Sequence, residues 1–386
     1  MFFIAAKMLM GDRAKYFGIL MGVTLASLVI TQQGSIFVGL MSRTFGFITD
    51  VTDADIWVMD RKVQFIDDIK PMQDTELSRV RGVEGVQWAV PLYKGLLKAR
   101  LDNGQFQTCN VIGLDDATLI GGPAIMLEGR LEDLRRADGV IVDDVGAATR
   151  LARPPTTPGG KPEPLKVGDI LELNDNRAVV VGICKTTRTF QSQPVVYTTY
   201  SRAKKFAPRE RKQLSFVLAS AKPGETSSDV CARIATNTGL AAYTSAEFKW
   251  ITVMYFIKFT GIPINFGIAV SLGFLIGTVI TGFMFYNFTL DNLRFLGTLK
   301  AMGCGDGKIL AMIMFQAGFV AIVGYGLGTG LATLFGASMK ETNLAFRLTW
   351  QLMLVAGAAV TIITMFAAML SVRKVLKLEP AIVFKG

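Results

Sequence analysis

The chain has 386 residues, of which 51% are hydrophobic, and a mean hydropathy of +0.39. That is too apolar for an ordinary soluble domain and fits an integral membrane protein with a sizeable soluble part. There is no histidine, which excludes Ser-His-Asp and Cys-His catalysis and any histidine-ligated metal.

The net charge of +10 is unevenly spread. Residues 43–258 carry 29 Lys and Arg against 26 Asp and Glu, while the remainder carries 12 against 5. The basic excess therefore sits in short segments beside apolar runs, a signature of membrane topology. No basic run interleaved with aromatics points to nucleic acid.

Residues 1–15 are partly apolar and carry Lys7, Arg13 and Lys15, as an interfacial helix would. Four uncharged runs follow along the chain: 16–42, 259–290, 309–339 and 348–372. Each exceeds the roughly 20 apolar residues that a bilayer-spanning helix needs. The first is too long for a signal-peptide core and lacks a clear cleavage site, so it reads as a retained anchor. Within it Thr24, Ser27, Thr31 and Ser35 share one helix face, and Gly18 and Gly22 form a G-x-x-x-G pattern. Small and hydroxylated faces let membrane helices approach closely, either within one chain or between two copies.

Residues 43–258 read as an α+β insert. Strand patterns occur at 51–60, 86–91, 95–101, 106–113, 140–142, 167–173, 178–184, 195–198 and 214–219. Helices are expected at 75–83, 145–151 and 229–238. Asn103-Gly104 and Asn174-Asp175-Asn176 mark hairpin turns. The stretch PPTTPGGKPEP (154–164) is a loop, and two small lobes are expected to join near it. Cys109, Cys184, Cys231 and Cys304 form no C-x-x-C pair and read as buried thiols.

From residue 245 the chain turns helical and leads into the second span. The uncharged run alone holds 32 residues, about 48 Å of helix against a hydrocarbon core of ~30 Å. A stalk beyond the membrane is expected, with a kink at Pro263. Residues 289–309 then form a short basic amphipathic helix between two spans. Leu293, Leu296, Leu299 and Met302 recur at helical spacing, with Phe295, Arg294 and Lys300 beside them. The third span is rich in glycine, with Gly324 and Gly328 on one face for helix packing. Segments 1–15, 291–308 and 373–386 carry ten Lys and Arg and the loop 340–347 carries two, which places both termini in the cytoplasm. The expected fold is thus an α-helical membrane protein with four transmembrane helices and an extracytoplasmic α+β domain between the first and second.

No span contains an ionisable residue, so nothing supplies ion coupling. Gly307-Lys308 is not a phosphate-binding loop: Met302 stands where its first glycine belongs and Ile309 where Ser or Thr belongs. The chain is expected to need no cofactor, to bind no ATP and to draw energy from another polypeptide.

This arrangement resembles the MacB/FtsX-type permeases of ABC transporters. LDNLRFLGTLKAMGCGDGKIL (290–310) is similar to their cytoplasmic coupling segment, and RKVLKLEPAIVFKG (373–386) to their C-terminal ending. DADIWVMD (53–60) resembles the DevC-type branch. Arg294-Phe295-Leu296-Gly297 departs from the family pattern, which places an acid before the glycine. The resemblance implies an inner-membrane homodimer bound to a separate ATPase, with Leu293, Arg294, Phe295, Leu296, Leu299, Lys300 and Met302 at the contact. It further implies mechanotransmission to the insert, a periplasmic adaptor (membrane fusion protein), an outer-membrane channel and export of an amphiphilic or lipidic substrate. The alternatives are an FtsX-like regulator of an extracellular partner and a LolC-like lipoprotein extractor.

Single cysteines at Asn103 or Gly159, in a background without the native four, should react with an impermeant thiol reagent applied from outside. One at Asp306 should be protected. The reverse labelling pattern would overturn the topology.

Overall fold

The structure is a computed structural model that describes residues 2–376 except 102, 156–159, 161, 209–212, 340, 341 and 343. The C-terminal motif beyond 376, Gly159, and parts of the proline-rich and 340–347 loops lie outside the described residues. The chain divides into two units, Met1–Leu40 with Gly261–Gly386, and Met41–Thr260.

The first unit is helical. Helix α1 (Phe2–Gly11) precedes α2 (Arg13–Thr44), the first of four helices among the described residues that are long and apolar enough to cross a membrane. Within the second unit α3 (Gly46–Asp50), α4 (Thr75–Arg81), α5 (Asp144–Ala148), α6 (Tyr200–Phe206), α7 (Ser227–Thr238) and α8 (Ser245–Phe259) follow. The first unit resumes with α9 (Ile262–Asp291), α10 (Leu293–Ala301), α11 (Asp306–Ser338) and α12 (Trp350–Leu376).

The long helices meet through small residues. A Cβ on Gly22 would lie 2.8 Å from Ile280, and one on Gly277 2.4 Å from the Ala26 methyl, so α2 and α9 nearly touch. On the other side of α2, a Cβ on Gly324 would lie 2.6 Å from Val23. Between the helices Ser27 Oγ donates to the Tyr325 carbonyl at 3.2 Å. Ser371 Oγ on α12 donates to the Phe285 carbonyl on α9 at 3.0 Å. Large apolar side chains point outward instead, among them Ile264, Leu272, Val279 and Phe283 of α9, as contact with lipid demands.

Helix α1 is fixed to α11 rather than free. Gln316, 2% exposed, donates from Nε2 to the Ala5 carbonyl at 2.7 Å, and Ala5 and Leu9 are buried. A buried amide keeps its place only where its polar atoms find partners, and this one does so on the α1 backbone.

A continuous kinked helix through Pro263 was the expectation; the structure has a break. Thr260 is extended at φ −121° and ψ 152°, Gly261 follows, and Pro263 lies in the first turn of α9. There its missing N–H costs nothing, because the first turn of a helix has no carbonyl to bond.

Among the described residues the second unit holds ten strands: β1 (Ile56–Met59), β2 (Val86–Arg100), β3 (Phe106–Leu114), β4 (Ile125–Glu128), β5 (Gly139–Asp143), β6 (Ile170–Leu173), β7 (Asn176–Lys185), β8 (Val195–Thr199), β9 (Phe216–Ala221) and β10 (Ala241–Thr244). Their order is β10-β1-β9-β2-β3-β8-β5-β7-β4, with β6 against β2 and β7. Where two strands were expected at 86–101, one long strand runs through Pro91. Its first part pairs with β9, and pairing with β3 begins only at Tyr93. Lys94 and Leu92 direct backbone groups toward the β9 side, so Pro91 faces the other edge before that ladder starts. No ladder bond is lost there.

The two parts of this sheet are joined through β2 rather than near the proline-rich loop, and one core spans both of them. One core gathers Trp57, Leu92, Phe216 and Phe248; another gathers Tyr93, Leu97, Val111 and Phe206. The expected hairpins form: Gly104 takes φ +79°, and Asn174 and Asp175 are both left-handed at φ 47° and 62°. Thr244 caps α8, accepting from Glu247 N while Glu247 accepts from Thr244 N at 2.9 Å. All four cysteines are free and buried. Burial pushes the Cys109 and Cys231 thiols up to about 12 and the Cys184 thiol higher still.

Gly328→Val should destabilise the bundle by about 1–3 kcal/mol, since its Cβ would lie 2.5 Å from Ser27 Cβ and 2.6 Å from the Thr24 carbonyl. Gly326→Val, with nothing within 4 Å of the added carbon, is the control. Equal melting temperatures for the two variants in detergent would contradict this packing.

Candidate coupling surface

Helix α10 is short, and its ends are what make it rigid. At its start Asn292 Nδ2 donates to the Phe288 carbonyl at 2.8 Å, and Leu296 N donates to the Asn292 carbonyl at 3.0 Å. At its end Cys304 N donates to the Leu299 carbonyl at 3.0 Å and Gly303 N to the Lys300 carbonyl at 3.1 Å. Gly303 adopts φ +87°, which a side chain would resist. These paired bonds form the Schellman arrangement, which satisfies carbonyls that the helix leaves open. Lys300 Nζ then reaches Asp306 at 3.0 Å, in the first turn of α11.

The apolar residues of α10 divide between two directions. Leu296, 3% exposed, packs into a cluster with Leu9, Phe285, Phe288, Ile309 and Val372, against which Leu293 and Leu299 also lie. Phe295 and Met302 are 65% and 71% exposed, and Arg294 is exposed beside them. Lys300 is half-buried. Of the seven contact residues expected from sequence, Leu296 is therefore enclosed by its own chain, and Phe295, Met302 and Arg294 are presented outward.

A cavity of about 560 Å³ lies beside Phe295, walled by Phe3, Ile4, Lys7, Met8 and Asp291. Lys15 closes one rim of this surface, bonded to Asp12 at 2.8 Å and also to Asp291. These exposed ion pairs orient helix ends and add little stability. Among the described residues no group of His, Cys, Asp or Glu could hold a metal ion.

Residues 267–380 match the FtsX-like permease C-terminal domain. Residues 17–237, more than half of the chain, match the MacB-like periplasmic core domain. The chain belongs to the MacB/FtsX-type permease family. It is 25% identical over 195 residues to an uncharacterized ABC transporter permease of Methanocaldococcus jannaschii. That match spans 48% of each chain, so this chain spans about half the length of the curated relative. Among solved structures, the periplasmic region of MacB from Actinobacillus actinomycetemcomitans is similar at 13% identity and a TM-score of 0.37, over 53% of this chain and 94% of that one. The extracellular domain of the noncanonic ABC-type transporter YknZ from Gram-positive bacteria is similar at 13% identity and a TM-score of 0.34, over 50% and 98%.

Within this MacB/FtsX-type permease the small-residue faces turn inward. A Cβ on Gly18 would lie 3.0 Å from Met284, and Gly22, Gly324 and Gly328 meet α9 or α2 as described. Ser27, Thr31 and Ser35 are buried inside the helical unit, and the buried Thr24 hydroxyl lies there too. These residues are taken up by packing within one chain.

That α1 presents an apolar face beside Phe295 was not legible in the sequence. Phe3 is 71% exposed and Ile4 46%, on a helix whose other face is buried against α11. The available signal was the Phe2-Phe3-Ile4 run followed by Lys7, which also describes a helix resting on a bilayer.

Leu296→Ala should cost about 2–5 kcal/mol of stability, because it empties a filled site. Phe295→Ala should leave the melting temperature of the purified protein unchanged. A destabilised Phe295 variant, or a Leu296 variant with wild-type stability, would reverse the assignment of the two faces.

Proposed function

We propose that this chain is the membrane subunit of an ABC transporter, and that α10 with the exposed face of α1 docks a separate ATPase. The observation that carries this reading is the outward presentation of Phe295 and Met302, with Arg294 between turns, on a helix held rigidly at both ends. Helix-in-groove recognition concentrates its energy in a few apolar anchors, and a charged neighbour orients the approach. The basic segments on this surface support a cytoplasmic position for it and for both termini, with the sheet-rich unit outside the inner membrane. The chain itself supplies no phosphate loop, so ATP hydrolysis belongs to the partner.

In this reading ATP-driven movement of the docked subunits displaces α10. The displacement passes to the extracytoplasmic unit by mechanotransmission and drives efflux of an amphiphilic or lipidic substrate. A homodimer, a periplasmic adaptor and an outer-membrane channel complete the assembly. A second copy would meet this one through faces other than Gly18, Gly22, Gly324 and Gly328, since those are occupied within the chain.

Phe295→Asp and Met302→Asp should abolish co-purification with the ATPase while the permease keeps its melting temperature. An anchor of this kind is worth about 2 kcal/mol or more, some thirtyfold in affinity. Leu296→Asp should lose both partner and fold, because it places a charge in the cluster beneath α10. Full retention of the ATPase by both the Phe295 and Met302 variants would remove the coupling role from this surface.

A further inference from the structure

The sheet-rich unit holds a second cavity, of about 490 Å³, at the point where β2 passes from one sheet to the other. Its walls include Ile69, Pro71, Lys94, Leu96 and Asp67. Sites of this size, mostly apolar with a few convergent polar groups, suit small ligands or short peptide segments.

Lys94 is the unusual residue. Its side chain is 2% exposed, although β2 beyond it turns that same face to solvent at Leu96, Lys98 and Arg100. Its ammonium is paired with the Asp67 carboxylate. An ammonium carries three donors, and among the described residues Asp67 is the acceptor it has. Neighbouring Asp68 is neutralised by Lys70 at 2.7 Å, so the wall carries donors and acceptors but little net charge.

The backbone beside Lys94 adds a second feature. Lys94 N donates to Ser215 Oγ at 3.0 Å, and Ser215 Oγ donates to the Lys94 carbonyl at 3.1 Å. Both groups thus point to the edge of β2 away from β3. Two residues on, Leu96 directs its N–H and carbonyl to that same edge, because backbone groups alternate along an antiparallel strand. On this edge β9 ends its pairing at Leu92, and β6 begins at Ala99. Asn174 N reaches the Lys98 carbonyl at 2.9 Å. Among the described residues no strand covers the interval at Leu96, which opens on the cavity.

We infer that this cavity binds an uncharged, apolar peptide segment in extended conformation, paired to β2 at Leu96. The backbone pair of Leu96 would exchange hydrogen bonds with one residue of the segment, as in strand addition to a sheet edge. Lys94 would donate to a further peptide carbonyl, and Asp67 would accept from a peptide N–H. Ile69, Pro71 and the half-exposed Leu96 side chain would seat an apolar side chain. A charged ligand fits less well, since the wall already balances Lys94 with Asp67 and Lys70 with Asp68. This site stands in the sheet-rich unit alone and does not depend on the transport reading.

The test is a titration of the full chain in nanodiscs with the capped peptide acetyl-Leu-Ala-Leu-amide, followed by saturation-transfer NMR. Saturable binding is expected. Leu96→Pro, which removes the outward N–H, should weaken it about tenfold. Leu96→Glu, at a position 42% exposed and so tolerant of a charge, should weaken it as much. Lys94→Met combined with Asp67→Asn should also weaken binding without leaving an unpaired charge. Circular dichroism would verify that each variant is folded. Absence of saturable binding, or wild-type affinity in folded Leu96 variants, would overturn the inference. So would equal competition by decanamide, which would mark an amphiphile pocket without strand pairing.

Discussion

Leu296 holds the short helix α10 to the ends of three long ones. Buried with Phe285 and Phe288 of α9, Ile309 of α11 and Val372 of α12, it contributes about 1.5–3 kcal/mol of apolar burial. The bonds from Gly303 and Cys304 finish the helix without slack. A loop of similar length would absorb a displacement through its own torsions. A capped helix packed on its neighbours cannot, so whatever moves α10 moves the helix ends beneath it. In the proposed docking, Phe295 and Met302 would serve as anchors because Leu296 fixes the helix that carries them.

The bundle depends on a different constraint. Lipid is as apolar as the side chains, so helices gain nothing by hiding Leu from it. What remains is close approach and interhelical hydrogen bonding. Gly22, Gly277 and Gly324 supply the approach, and Ser27, Tyr325, Gln316 and Ser371 supply the bonds. Large apolar residues are then left for the outward faces, an arrangement inverted from that of the sheet-rich unit, where Trp57, Phe216 and Phe248 form the interior.

In that unit β2 is the common element. Fifteen residues long, it serves two sheets in succession. Pro91 and Lys94 mark the change, the first by lacking a donor where none is needed, the second by burying an ammonium where the covering core ends. Both residues break the ordinary pattern of a strand interior, Pro91 facing the β3 edge before that ladder begins and Lys94 standing beside the interval between β9 and β6 on the opposite edge.

The sequence by itself determined the four spans, since twenty or more uncharged residues in a row admit few other solutions. It also determined most strands and turns of the insert, because alternation and the Asn-Gly and Asn-Asp pairs are local signals. Periodicity placed α10 between two spans and named its apolar residues. It could not say which of them faced the chain and which faced outward. Leu296 and Phe295 are adjacent and equally apolar, and only the packing of α9, α11 and α12 around one of them separates the two. The same holds for Gly18-x-x-x-Gly22, whose spacing suits a partner helix from either source; in the structure Met284 and Ile280 of the same chain meet it. Pro263 was legible as a disruption but not as a helix start, because that depended on Thr260 becoming extended. Local chemistry sets what each segment can be, whereas the choice of neighbour is a long-range fact that no window of sequence contains.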